Sequence, residues 1–335
     1  MSQASKGEKY KMKYRQFAAA VLIGMFSACP FAQAQSDALQ GYPNQIVKMT
    51  TSFAAGSVTD VLARVVANSL QENWKQTVIV ENRPGIPGII SVARGKPDGY
   101  TLLVTSNGLV IADVINKNTG FNPVKDFAGV TKVAYVPLVL VGPATLPANN
   151  LQELIALAKQ SPGKLNYGSV GPASTAFLAA EIFKQASQTN FTHVPYKAVP
   201  DAITGVIRGD IDIYFLGLNL AIELVKAGKI KAIAVARSER SPALPDVPTF
   251  AQAGLPGYQY EAWFGIVAPA HTPQSVLDKV SKDIDAVLKT PDVQARLEAQ
   301  GFEINTNTPA QFDALMRSDA DRYGKLLKEL GFSEN

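Results

Sequence analysis

Two short segments hold the residue types that could do chemistry. The first is Phe53-Ala54-Ala55-Gly56-Ser57-Val58-Thr59-Asp60. It joins a strand-like run to a helix-like run, and its small side chains let a ligand reach the backbone. A helix start offers unpaired N–H donors and a partial positive charge, which suits a carboxylate or a phosphate. Ser57 or Thr59 adds a hydroxyl donor. The same residue types also make ordinary helix caps, so this segment alone leaves both readings open. The second segment, Gly168-Ser169-Val170-Gly171-Pro172-Ala173-Ser174-Thr175, repeats the design of strand, small-residue loop and helix. On opposite walls of a cleft, the two would present amides to one anion. Ser106 and Asn107 follow a strand end and are placed to reach such a cleft. Tyr214, Phe215 and Trp263 either wall it or fill the core.

Other chemistries find no residues to carry them. There is no G-x-G-x-x-G for a dinucleotide. The Gly-Lys pairs at Gly95, Gly163, Gly228 and Gly324 are not followed by Ser or Thr, so there is no phosphate-binding P-loop. Neither G-x-S-x-G nor H-E-x-x-H occurs. The two histidines, His193 and His271, have no placeable catalytic partners, and no base is assigned to Ser57 or Ser174. The expectation is no catalytic residue, no cofactor and no metal.

The elements that must position the two loops alternate between strand and helix, which predicts an α/β fold with parallel strands. Strands are expected at Ile46–Ser52, Thr77–Glu81, Thr101–Thr105, Leu165–Ser169, Thr192–Val194, Ile211–Phe215 and Ile230–Ala236. Helices are expected from Ser57 to Trp74, over Leu151–Lys159 behind an Asn150 cap, from Ser174 to about Gln185, and around Asp201–Arg208 and Leu220–Ala227. Glu81–Gly85 and Pro97–Thr101 read as turns. Pro273–Leu288, Asp292–Gln300 and Pro309–Leu330 are amphipathic and charged. Two long extended runs, Val136–Val141 and Tyr260–Ala268, flank a central block. They predict crossings between two lobes, residues 42–141 with 260–335 and residues 142–259, with a cleft between them.

The chain has 335 residues and a formal net charge of +4, from 32 basic and 28 acidic residues. A basic excess can signal a nucleic-acid or membrane partner, but its position decides. Lys6, Lys9, Lys11, Lys13 and Arg15 lie ahead of an apolar run from Phe17 to Phe31, which ends in Ala32-Gln33-Ala34. That pattern predicts a cleavable secretory leader over residues 1–34. Pro30 interrupts a run already too short to span a bilayer. Removing the leader leaves 27 basic and 27 acidic residues and takes away Cys29, the one cysteine. Nucleic-acid binding, disulfides, thiol catalysis and Cys-ligated zinc are then excluded. An exported periplasmic monomer is expected.

A series of motifs in order resembles the Bug-type extracytoplasmic solute receptors of tripartite tricarboxylate transporters. They are Phe53–Asp60 with Ala63-Arg64, Val80–Gly85, Pro97–Leu102, Lys125-Asp126-Phe127, Pro162–Ser169, His193-Val194-Pro195-Tyr196-Lys197, Leu244–Phe250 and Ala253–Tyr258. The resemblance implies a two-lobed periplasmic binding protein (type II-like), its lobes joined by two crossing strands, that closes on a carboxylate between the two small-residue loops. It also implies delivery to a membrane permease; a periplasmic sensor serving a membrane signalling partner is the alternative. The chain departs from the family pattern at Ala55, at Ile86–Ile89, at Ala173, at Phe177 in place of a His, at Ala198, and at Leu216 in place of an acid. Those changes predict a ligand with one carboxylate and an apolar or aromatic remainder.

Overall fold

The computed structural model describes residues 41–116, 119–171, 174–258 and 260–331. The expected leader and Ala173 lie outside them. From Pro43 onward the chain packs as one unit built on two sheet systems.

The first begins with three parallel strands. β1 (Val47–Thr51) pairs on one side with β2 (Val78–Asn82) and on the other with β3 (Thr101–Ser106). Parallel pairing needs crossover helices. Helix α1 (Val58–Trp74) supplies the first, burying Leu62, Ala63, Val66, Ala67 and Leu70 along one stripe. Helix α2 (Ile86–Ala93) supplies the second, just after the expected turn at Glu81–Gly85 and over residues for which no element was expected. Gly85 at φ 78° opens it, and Pro87 in its first turn fits a position that needs no N–H. After β3 come a 3-10 turn (Asn107–Ile111) and the short helix α3 (Ala112–Ile115). Strands β4 (Phe127–Val136) and β10 (Ala262–Pro269) then extend the sheet antiparallel. With β11 (Glu303–Ile304) the order is β11-β4-β10-β3-β1-β2. The sheet is therefore mixed, not all-parallel as the alternation of elements suggested. Helices α8 (Gln274–Leu288), α9 (Pro291–Ala299) and α10 (Pro309–Glu329) complete this part.

The second system centres on β5 (Leu138–Pro143), antiparallel to both β8 (Tyr214–Gly217) and β9 (Ile230–Val235). Beside it β6 (Asn166–Ser169) runs parallel to β7 (Thr192–Pro195), and one parallel bridge, Tyr167 to Ile213, ties β6 to the strand that becomes β8. Helices α4 (Leu151–Gln160), α5 (Thr175–Ser187), α6 (Val199–Arg208) and α7 (Leu218–Lys226) pack around these strands. Asn150 caps α4 as expected, accepting from the Glu153 amide.

The chain passes from β4 to β5 with only Pro137 between them. Proline has no N–H to donate to a ladder, so the extended run Val136–Val141 changes sheets there, earlier than the expected boundary near residue 141. The return runs through residues 236–261, largely irregular, before β10 begins.

Candidate functional site

Strand directions bring the two expected loops toward one place. Phe264 pairs with Ser106, and Ala262 pairs with Val136. The C-terminal ends of β1, β2 and β3 therefore lie at the edge where the chain leaves the first sheet. In the second system Leu138 pairs with Gly217, so β8 ends at the same crossing. Because β6 runs parallel to β8 and β7, Ser169 and Pro195 end there too. Ligands of open α/β sheets bind at such carboxyl ends.

The first loop is built around Asp60. Ser57 caps α1 in an extended conformation, and its Oγ accepts from the Asp60 amide at 3.2 Å. The Asp60 carboxylate reaches back and accepts from the Gly56 amide at 2.9 Å, from Arg64 Nε at 3.1 Å and from Asn82 Nδ2 at 2.8 Å. Arg64 also donates to Asn82 Oδ1 at 3.0 Å. Gly56 sits at φ +80°, with open space where a Cβ would stand. Asp60 was expected to meet the ligand; it is buried, and its oxygens are taken up by the loop itself. The amides of Ala54, Ala55, Val58 and Thr59 have no acceptor among the described residues. Phe53, Ala54, Ala55 and Gly56 are exposed, while Thr59 is buried.

Burial pushes the Asp60 carboxyl up, but hydrogen bonds from Arg64, Gly56 and Asn82 and the Arg64 charge outweigh it and hold it below the ordinary value of 3.8. A carboxyl held down in the folded state adds stability above its unfolded pKa and loses it as pH falls through the folded value. The loop is thus expected to keep its shape down to about pH 4, near the ordinary carboxyl value, and to loosen below it. Backbone hydrogen exchange at Gly56 between pH 6 and 3 checks this; unchanged protection at pH 3 would oppose it.

The second loop is built the same way. Ser174 caps α5, donating from Oγ to Gly171 O at 2.7 Å and accepting from the Phe177 amide at 3.3 Å. Gly171 takes φ +113°, a backbone shape that L side chains rarely adopt, and its amide donates to Ser169 Oγ at 3.0 Å. Ser169 is fully buried, whereas Ser174 and Thr175 are half-buried. Ser169 Oγ also meets His193 Nε2 at 2.7 Å, a partner the sequence did not supply. This serine–histidine contact resembles a nucleophile with its base, but a fully buried hydroxyl is closed to a substrate.

The remaining expected residues divide. Ser106 accepts from the Gly108 amide and turns the chain at the end of β3. Asn107 is buried and donates from Nδ2 to Tyr260 Oη at 2.8 Å, so its amide nitrogen is committed to a neighbour. Tyr214 and Phe215 do not wall an open cleft. Both are buried, and Phe215 stacks on Phe250 and Tyr258 with ring centroids 6.1 and 5.8 Å apart. Trp263 is fully buried as well.

Cavities of ≈ 680, 560 and 580 Å³ lie around α10 and around Arg237, and Trp263 helps to line the last of them. Their linings hold none of the loop residues 53–60 or 168–175. Among the described residues no group of His, Asp and Glu is placed to hold a metal, and no helix is long and apolar enough to cross a membrane.

The family model for the tripartite tricarboxylate transporter family receptor matches residues 62–332. The chain belongs to that family. The receptor is 31% identical to the protein BugT of Bordetella pertussis, over 92% of this chain and 96% of that one. Its fold matches the periplasmic binding protein BugD with a TM-score of 0.70, at 31% identity, covering 88% of this chain and all of BugD. It matches Rpa4515 of R. palustris, solved with adipate, with a TM-score of 0.71 at 30% identity, covering 87% and 99%. It matches MatC of Rhodopseudomonas palustris, solved with malate, with a TM-score of 0.69 at 28% identity, covering 85% and 100%. These relatives are two-lobed solute receptors, and so is this chain; it is not an enzyme. The places where the receptor departs from its family pattern are now visible. Phe177 is buried edge-on against His193, with ring centroids 5.1 Å apart, and Leu216 is buried in β8. Ala198 begins α6 without a side-chain cap.

Proposed function

We propose that the receptor captures a small carboxylate between its lobes, residues 42–141 with 260–335 and residues 142–259, and delivers it to the membrane permease of a tripartite tricarboxylate-type transporter. It would work as a monomer in the periplasm, exported by a cleavable leader over residues 1–34. The observation that carries this reading is the pair of serine-capped helix starts, Ser57 with α1 and Ser174 with α5, at strand ends that converge on the Pro137 crossing. No Lys or Arg lies within residues 53–60 or 168–175. Recognition would therefore rest on amides, hydroxyls and helix dipoles. Ligand binding to the closed arrangement would shift an open–closed equilibrium by differential affinity.

An apolar or aromatic remainder on the ligand has support in the same loops. Phe53 is 38% exposed, Val58 50% and Val170 36%, and all three stand on the loops or the first turn beside them. Closing on an apolar group would bury such surface, at about 25 cal/mol per Å². Thermal melts against aliphatic and aromatic mono- and dicarboxylates test the proposal, since stabilisation must grow with ligand concentration. Absence of any shift at millimolar carboxylate would sink it. Dicarboxylates stabilising more than monocarboxylates would sink the apolar-remainder half.

Ala55→Asp gives a sharper check. Ala55 is exposed with its amide unpaired. A fixed carboxylate there would compete for the same amides and repel an anionic ligand. The expected result is at least a tenfold loss of affinity, about 1.4 kcal/mol, with a melting temperature close to that of the parent. Unchanged affinity would place the ligand elsewhere.

A further inference from the structure

We propose that His193 is a positioning residue: its uncharged imidazole holds the Ser169–Gly171 turn in its ligand-binding shape, and protonating it releases that turn. This rests on the reading of the second loop as half of the anion site.

Three contacts meet at the Ser169 hydroxyl. Ser169 Oγ already accepts from the Gly171 amide at 3.0 Å. Its own proton can go to His193 Nε2 at 2.7 Å or to Gly171 O at 3.5 Å. In the state proposed here that proton goes to the ring at the shorter distance, so Nε2 accepts and the neutral imidazole carries its own proton on Nδ1. Parallel pairing of β6 with β7 makes the meeting possible, because Tyr167 stands opposite His193 in the register. The ring is clamped on both faces of the corner: it stacks on Tyr167 at 4.9 Å and meets Phe177 edge-on at 5.1 Å. Tyr167 in turn donates its hydroxyl to the buried Glu181, which pairs with Lys184 at 2.8 Å. Imidazole, serine and the Gly171 amide therefore form one chain from the lobe interior to the loop.

A proton on Nε2 would reverse the ring–serine bond and weaken this chain, leaving the hydroxyl proton only the 3.5 Å contact. The imidazolium would point an N–H at the serine hydroxyl. Ser169 would have to turn its proton to the distant Gly171 carbonyl while still accepting from the Gly171 amide. Besides the stacked Tyr167 on β6, two charged groups on α5 act on the ring: Glu181, whose charge favours the imidazolium, and Lys184, whose charge opposes it. Burial comes first and lowers the His193 pKa below 6.5. The sign follows: a histidine held neutral contributes above its unfolded pKa, and the contribution is lost as pH falls through the lower folded value.

The test uses the full chain. Nitrogen-15 spectra of the His193 ring and the Gly171 amide, recorded without ligand from pH 8 to 4.5, should show one shared midpoint below 6.5. Affinity for the best monocarboxylate of the panel should fall at least tenfold across the same midpoint. His193→Gln keeps a side-chain amide near the Nε2 position but cannot titrate; it should bind within about threefold of the parent at neutral pH and hold that affinity through the midpoint. His193→Phe keeps the stack on Tyr167 and loses the bond, and should bind at least tenfold more weakly at every pH. Ser169→Ala should match it, and serves if the His193→Phe chain does not fold. Parent-like binding by His193→Phe or Ser169→Ala, or acid loss retained in His193→Gln, would overturn the proposal. If no carboxylate binds the parent, the carboxylate reading fails by itself, and the ligand-free spectra still decide the role of His193.

Discussion

Replacing Asp60 by Ala should lower both the stability and the ligand affinity of the receptor, although Asp60 is not expected to touch the ligand. Its side chain is 4% exposed, and it gathers the Gly56 amide, Arg64 and Asn82 around one carboxylate. Removing it leaves the Gly56 amide without an acceptor, leaves Asn82 Nδ2 only the Phe53 carbonyl at 3.2 Å, and leaves Arg64 only Asn82 Oδ1 at 3.0 Å. Breaking a fully buried pair costs about 3–5 kcal/mol. Arg64 is half exposed, so water recovers part of that loss, and about 2–3 kcal/mol is the reasonable scale. The turn at Gly56 would lose the acceptor that fixes it, and affinity should fall more than tenfold. Arg64→Ala, which strips only the exposed partner, should cost no more than about 1 kcal/mol. Paired denaturant melts and calorimetric titrations check both variants. Parent-like affinity in Asp60→Ala would show that the turn needs no bracing.

Trp263→Ala should produce the largest stability loss and the opposite functional profile. Trp263 lies in β10, fully buried, edge-on to Phe312 at 5.2 Å, with its indole N–H donating to Asp319 at 2.7 Å. Large-to-small changes at such sites cost about 3–5 kcal/mol through lost transfer energy and the cavity left behind. The variant also takes a donor from Asp319, whose buried carboxyl is already pushed above its ordinary value by desolvation. The cost should fall at the upper end of that range. Any protein that remains folded should bind ligand within about threefold of the parent, because Trp263 lines the separate cavity at Arg237 and not the two loops proposed to hold the ligand. Weak binding with normal stability would return Trp263 to the cleft wall.

How far the sequence could be read depended on the distance over which each feature is encoded. Helix starts are local, so Ser57, Asn150 and Ser174 were visible as caps from residue type and spacing, and the structure places all three at N-caps. The pair Asp60 and Arg64 is also local, one helical turn apart. Its third member, Asn82, arrives only because β1 and β2 pair in parallel, with Thr51 opposite Asn82. Ser169 and His193 likewise lie 24 residues apart and meet through the β6–β7 register. Helix α2 was hidden by Gly85, Pro87 and Gly88, residues that signal turns when read alone. Gly88 is fixed by the tertiary fold: a Cβ there would stand 2.0 Å from Arg83 O. The aromatics of the second lobe were ambiguous for another reason. Composition distinguishes neither a cleft wall from a core, and only the positions of Phe183, Phe250 and Tyr258 around Phe215 decide for the core.

The single residue at the β4–β5 crossing sets unequal tolerances on chain length. Pro137 is flanked by paired residues on both sides, Val136 with Ala262 and Leu138 with Gly217, and its carbonyl accepts from the Leu218 amide at 2.8 Å. One residue added or removed there would displace one lobe by about 3.3 Å and turn alternate strand faces over. The two helix starts proposed to share a ligand would then be moved apart. The largely irregular return path after β9 would take up such a change at lower cost, since loop closure depends only weakly on length. Length drift among relatives, and any sensor module spliced into the receptor, should therefore accumulate on the return path and be absent at Pro137.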